Sequence, residues 1–217
     1  MARQATNNTL HKAKSSKSDE FYTLLDDIER ELTHYREHFR GKTIYCNCDN
    51  PKESNFFKYF FYNFKDFGLK KLIASYYVPD TYDLFDSTVP EHGGFIECTM
   101  NDVTSEISKL PVKTLKGNGD FRSQECNSLL KEADIVVTNP PFSLFREFVA
   151  QIVRNNKQFL IIGNINAITY KEIFHLIQTN QIWLGIHLGR GIYGFKVPDH
   201  YEMYGSETRV SDNGDHI

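Results

Sequence analysis

From residue 133 onward the chain alternates between two hydrophobic periods. The apolar run Ala133, Ile135, Val136, Val137 is followed by a helical spacing over 143–154, a second run over 158–163, a helical spacing over 170–179 and a third run over 182–188. Short β-rich runs joined by helix-length segments leave few packings open, because each strand must return to the same sheet through a covering helix. The same order holds upstream. A helical spacing of Leu24, Leu25, Ile28, Leu32 and Tyr35 lies within 19–40. It precedes a strand at 43–46, a helix over 54–67, a strand over 69–76, a further strand at 95–99 and a short helix over 128–131. The expectation is an α/β fold: a doubly wound, Rossmann-like parallel sheet with helices on both faces. At 217 residues the chain suits one such domain, 18–217, after a Ser-, Asn- and Lys-rich arm at 1–17 that reads as mobile.

In doubly wound sheets the ligand site lies beyond the carboxyl ends of the strands. Asp49 and Asn139 follow expected strands and Asp120 stands in a loop further on, so the three are candidates to meet there. The tetrapeptide Asn139-Pro140-Pro141-Phe142 is the most chemically specific. Each proline fixes its own φ and holds its predecessor extended, so the turn is stiff. Such a turn lets the Asn139 side-chain oxygen and the Pro140 carbonyl converge on one amino group, and Phe142 offers a flat face for an extruded base. A conjugated exocyclic amine is a poor nucleophile, and two acceptors that favour its tetrahedral form would promote methyl transfer to it. Attack through a cysteine that follows a proline is not expected, since none of Cys46, Cys48, Cys98 and Cys126 has a proline before it. Asn-Pro and Pro-Pro are also ordinary loop punctuation.

Charge argues weakly the other way. With 25 Lys and Arg against 28 Asp and Glu the net charge is −3, without the basic excess of many nucleic-acid binders. Local patches matter more than totals, and 11–17 is one candidate, with Arg36, Arg40, Lys42 and Arg146 scattered beyond it. The crowded rings Phe56, Phe57, Tyr59, Phe60, Phe61, Tyr62 and Phe64 read as core. Cys46-Asn47-Cys48 lacks the spacing of common zinc sites, so structural thiols in a reducing compartment are expected and no metal. No signal core or membrane-length apolar run is seen, and a cytoplasmic location is the expectation.

Several segments together carry a family resemblance: 17–23, 45–49, 54–60, 119–123, 134–146, Trp183-Leu184-Gly185 and Gly189-Arg190-Gly191. In these the chain resembles the EcoRI modification methylase family of S-adenosylmethionine-dependent, adenine-N6 DNA methyltransferases. The resemblance implies S-adenosyl-L-methionine as cofactor and double-stranded DNA, with GAATTC as target, as substrate. It also implies a restriction-modification setting, with a cognate restriction endonuclease but no stable complex. It assigns Asn139, Pro140, Pro141 and Phe142 to catalysis and the target base. Asp19, Phe21, Tyr22 and Thr23 fall to the methionine end of the cofactor, although the same segment reads as a plain helix start. Asp49, Ser54 and Phe56 take the place of a Gly-rich cofactor loop, where Asp49 is equally a helix cap. Without glycines the backbone cannot approach a ligand as closely, so side chains and the next helix N-terminus must hold more of it. Asp120 and Phe121 fall to the cofactor adenine, with a simple Gly-Asp turn as the other reading. Phe195 is a candidate second wall for the base, or simple core.

The family runs on past the point where this chain stops, so its last strand and target-recognition region are expected to be incomplete here. Two other readings stay open: methylation of RNA adenine or protein glutamine through the same turn, and a catalytically silent fold that binds cofactor or nucleic acid. The ribose-binding residue is unassigned, because the strand ending at Ser75-Tyr76-Tyr77 meets no acidic residue before Asp80.

Overall fold

The fold is given by a computed structural model that describes residues 22–78, 92–104, 106–186 and 195–196. Its chain order begins with β1 (Tyr22–Thr23), α1 (Leu25–Leu32), α2 (Arg36–Phe39), β2 (Thr43–Cys46), α3 (Asn55–Tyr62), α4 (Phe64–Phe67) and β3 (Lys71–Tyr76). It continues with β4 (Gly94–Cys98), β5 (Lys113–Thr114), α5 (Gln124–Glu132), β6 (Ile135–Thr138), α6 (Phe145–Arg154), β7 (Gln158–Ile161), α7 (Lys171–Gln178) and β8 (Phe195–Lys196). Six strands form one sheet in the order β5-β4-β3-β2-β6-β7, and β1 pairs separately with β8.

Period-two alternation divides the sheet's side chains between two cores. Ile44, Cys46, Leu72, Ala74, Ile96, Cys98, Ile135 and Val137 face one side, against Ile28, Leu32 and Phe39 and the rings of α3 and α4. Tyr45, Ile73 and Val136 face the other, against Leu129 and Leu130 of α5 and Phe148 and Ile152 of α6. Helices therefore cover both faces, and the sheet is doubly wound.

The helix α3, Asn-Phe-Phe-Lys-Tyr-Phe-Phe-Tyr, buries Phe56, Phe57, Tyr59, Phe60 and Phe61. A ring fully removed from water contributes roughly 1.5–3 kcal/mol, so this helix is a principal anchor of the first face. It starts where the Ser54 hydroxyl accepts from Phe57 N at 3.2 Å. The helical stretch stops at Gly68, whose φ of 61° is the left-handed conformation of a helix C-terminus.

Two expectations change. The sheet is mixed: β3–β2, β2–β6 and β6–β7 are parallel, but β4 is antiparallel to both β3 and β5. The strand expected over 182–188 does not form where the chain is described; 182–185 have no ladder partner, Ile186 lies in a turn, and Trp183 is 75% exposed. An apolar run becomes a strand only where a neighbour satisfies its backbone, and the sheet described here ends at β7. Residues 187–188 lie outside the described residues.

Candidate active site

β2 has β3 on one side and β6 on the other, so the direction of winding reverses between β2 and β6. After β2 the chain crosses to the first face through α3; after β6 it crosses to the second through α6. Strands whose connections part in this way leave a crevice at their carboxyl ends, where ligands of open α/β sheets bind. What the sequence puts there is Asn47-Cys48-Asp49 after β2 and Asn139-Pro140-Pro141-Phe142 after β6.

The two strands are clamped at both ends. At the amino end Thr43 N donates to Asp134 Oδ2 at 2.8 Å and Asp134 N to the Thr43 carbonyl at 2.9 Å. At the carboxyl end the Thr138 hydroxyl meets both the Asn47 carbonyl and Asp49 Oδ2. Asp49 Oδ1 accepts from the Ser54 hydroxyl at 2.6 Å, and Asp49 N donates to the Ser75 carbonyl at 2.9 Å, which ties in β3. Asn47 is buried; its side-chain oxygen accepts from the Ser75 hydroxyl at 3.2 Å, and that hydroxyl lies 2.7 Å from the Tyr45 hydroxyl. Asp49 is only 8% exposed. Burial pushes its carboxyl up to about 7, while the Ser54 and Thr138 hydroxyls pull the other way. Cys48 makes the turn at φ 65°, a left-handed conformation that is unusual for a residue with a Cβ and is found at functional turns.

Thr23 joins this cluster through its backbone. Its carbonyl accepts from Asn55 Nδ2 at 2.8 Å, which ties β1 to the first turn of α3, beside Ser54. Thr23 Oγ1 is buried and has no hydrogen-bond partner among the described residues, so a polar ligand group there would satisfy it. Phe195 lies directly across from Thr23 in the β1–β8 ladder. Tyr22 pairs with Lys196 in that ladder; Asp19 and Phe21 lie outside the described residues, as do 11–17, Asp80 and 189–191.

The third loop reaches the same end of the sheet. Val78 N donates to the Asn118 carbonyl at 2.7 Å. Gly119, at φ 83°, packs so tightly that a Cβ would stand 2.1 Å from the Tyr76 carbonyl oxygen. Asp120 is therefore held near the end of β3, but both its carboxylate oxygens are engaged by Arg122, at 2.9 Å from Nε and 2.6 Å from a terminal nitrogen. The rings of Phe56 and Phe121 are buried, Phe56 in the first core and Phe121 edge-on to Phe148 at 5.1 Å in the second. Each is committed chiefly to packing.

In the turn after β6 Pro140 is buried while Asn139, Pro141 and Phe142 are half-buried. The Asn139 side-chain oxygen is itself buried and accepts no hydrogen bond among the described residues, although Asn139 keeps other contacts. Of the scattered cations, Arg146 lies in the first turn of α6, just past Phe142, with its guanidinium 4.1 Å from the Tyr170 ring centroid. Arg36, Arg40 and Lys42 sit instead towards the amino end of β2. Asn47, Cys48, Ser75 and Thr138 were given no role in the site from sequence. The available signal was a polar residue closing each apolar strand.

The four cysteines are free thiols, and among the described residues no three His, Cys, Asp or Glu side chains gather as a metal site. Among the described residues no helix is long and apolar enough to cross a membrane.

A doubly wound sheet carrying a strand-Asn-Pro-Pro-Phe turn beside its switch point defines an α/β methyltransferase fold. The family Adenine-specific methyltransferase EcoRI matches residues 9–217, and the chain belongs to that family. It is 57% identical over 218 residues to Type II methyltransferase M.EcoRI of Escherichia coli, across all of this chain and 67% of that protein. Type II methyltransferase M.MgeORF184P of Mycoplasma genitalium is 40% identical, across 91% of this chain and 57% of that protein. Type II methyltransferase M.MpnI of Mycoplasma pneumoniae is also 40% identical, across 89% and 55%. This chain thus spans between about half and two thirds of the relatives it matches. No solved structure matches it significantly.

Proposed function

We propose that the chain methylates adenine N6 in double-stranded DNA, at GAATTC or a related site, with S-adenosyl-L-methionine as the methyl donor. The observation that carries this reading is the meeting, at one switch point, of the Asp49 cluster after β2 and the Asn139–Phe142 turn after β6, joined by Thr138. The cofactor supplies an electrophilic methyl group on a sulfonium.

The residues present fit such a ligand. Thr23 Oγ1 is a buried oxygen without a partner, and the Ser54-capped N-terminus of α3 presents backbone N–H groups where a ligand carboxylate is favoured. Asp120, shared with Arg122, is a carboxylate suited to accept from an amino group on the adenine of the cofactor. On the other side of the crevice Asn139 and the Pro140 carbonyl accept from the target amino group, and half-buried Phe142 supplies a stacking face. Catalysis is then positioning and electrostatics rather than covalent chemistry. The setting we infer is a cytoplasmic restriction-modification system with a separate cognate endonuclease.

The test is incubation of the purified chain with methyl-labelled S-adenosylmethionine and unmethylated GAATTC duplex, with RNA and protein as parallel acceptors, followed by nucleoside analysis. Labelled N6-methyladenine from DNA is the expected product. Label in RNA or protein alone would transfer the assignment to those substrates, and no label in any acceptor would contradict enzymatic activity of this chain.

A further inference from the structure

The hydrogen bonds around Thr138 do not balance if Asp49 is ionised. A threonine hydroxyl has one hydrogen to give. Thr138 Oγ1 nevertheless contacts two oxygens, the Asn47 carbonyl and Asp49 Oδ2, and a carbonyl and a carboxylate are both acceptors only. Ser54 cannot supply the missing hydrogen. Its oxygen accepts from Phe57 N, and its one hydrogen goes to Asp49 Oδ1. Unless one hydrogen is shared between the two acceptors, the count closes with the second hydrogen on Asp49 itself.

We propose that Asp49 is held as the neutral acid, donating from Oδ2 to Thr138 Oγ1 while Thr138 donates to the Asn47 carbonyl, and that this chain makes Thr138 a positioning residue for Asn139. The role in positioning rests on the function proposed above; the proton assignment does not. On ionisation Asp49 releases that proton to solvent. Thr138 must then turn its hydrogen to the carboxylate and leave the Asn47 carbonyl, or keep the carbonyl and face the carboxylate with lone pairs. Either way one of the two ties between the turns after β2 and β6 is lost, one residue before Asn139.

The surroundings favour the neutral form. The only ionisable group of β2 coupled to Asp49 is the Cys46 thiol, itself pushed well up by burial. β6 and β3 present Thr138 and the Ser75 carbonyl, both uncharged. Lys52 and Glu53, in the turn leading to α3, are exposed, and the N-terminus of that helix is the one feature that favours the anion. Among the described residues no Lys, Arg or His forms an ion pair with Asp49. Burial accordingly places its titration at about 7.

The experiment is a pH titration of the chain carrying carboxyl-labelled aspartate, followed by carbon NMR. One aspartate carboxyl is expected to titrate near 7. If every aspartate titrates below about 5, the proton assignment is wrong. Thermal unfolding gives a second reading. Asp49→Asn keeps a donor towards Thr138 and an acceptor towards Ser54, so it should flatten the loss of stability expected of the wild type as pH rises through about 7. Unchanged pH dependence in the variant would overturn the assignment. For positioning, Thr138→Val should lower kcat roughly tenfold or more with the cofactor KM little changed, and Thr138→Ser should restore it. Failure of serine to restore kcat would overturn that role. A wild-type chain that transfers no methyl group would count against the functional reading, and the carbon titration would still decide the proton assignment.

Discussion

The turn after β2 and the turn after β6 face the same crevice but are held by different means. The first is built from hydrogen bonds: Asn50 takes backbone donors from Glu53 at 3.0 Å and Ser54 at 2.7 Å, and the Asp49 carboxyl is enclosed by two hydroxyls. The second contains two prolines, which contribute no backbone N–H, and closes with Leu144 N donating to the Pro141 carbonyl at 3.0 Å. Burial makes the Asp49 carboxyl of the β2 turn sensitive to pH; proline rings make the β6 turn stiff, with Asn139 and Phe142 half-buried. The contrast suggests a division of labour in which the first turn holds the cofactor and the second presents the amino group for reaction.

The largest expected effect tests that division at the β6 turn. Asn139→Ala should lower the single-turnover rate by about 10²- to 10³-fold, the usual consequence of losing one preorganised polar contact to a transition state. Stability should change little, because the side chain is half-buried at the end of a strand. Gly119→Ala asks whether the loop beside β3 belongs with the hydrogen-bonded side. Its Cβ would meet the Tyr76 carbonyl oxygen at 2.1 Å with φ at 83°, so a loss of about 2–3 kcal/mol in denaturant unfolding is expected, with weakened cofactor binding as Asp120 shifts. Ser54→Ala removes both the α3 cap and the donor to Asp49, for about 1–2 kcal/mol of stability.

The broadest effect is on pH. A carboxyl raised from 3.8 to about 7 binds a proton in the folded chain that the unfolded chain has already released. Stability from this group is therefore fully present below about 4 and is lost as pH rises through about 7. Other groups add their own slopes, so the signature is the difference between wild type and Asp49→Asn.

Much of this architecture was readable in the residues. The runs at 43–46 and 135–138 are strands because their apolar side chains serve both faces of a covered sheet. The helix over 143–154 appears as a short 3-10 turn at Phe142–Leu144 followed by α6. The direction of β4 was not readable, since Phe95 and Ile96 alternate identically in a parallel or an antiparallel strand. Phe56 and Phe121 stand in cofactor-like motifs, and their rings pack in the two cores. Thr138 and Asn47 went unnoticed because their importance lies in hydrogen bonds between residues 89 and 91 apart in the chain. A lone polar residue at the end of a strand carries no mark of such a partner.

The division between the two turns is tested most directly by measuring, on Asn139→Ala, the affinity for S-adenosylmethionine by calorimetry beside the single-turnover rate of methyl transfer to duplex DNA. Affinity close to wild type with a rate lowered by about 10²-fold or more is the predicted result. A variant that loses affinity in step with rate would contradict the account, because Asn139 would then belong to the cofactor site rather than to the reacting amino group.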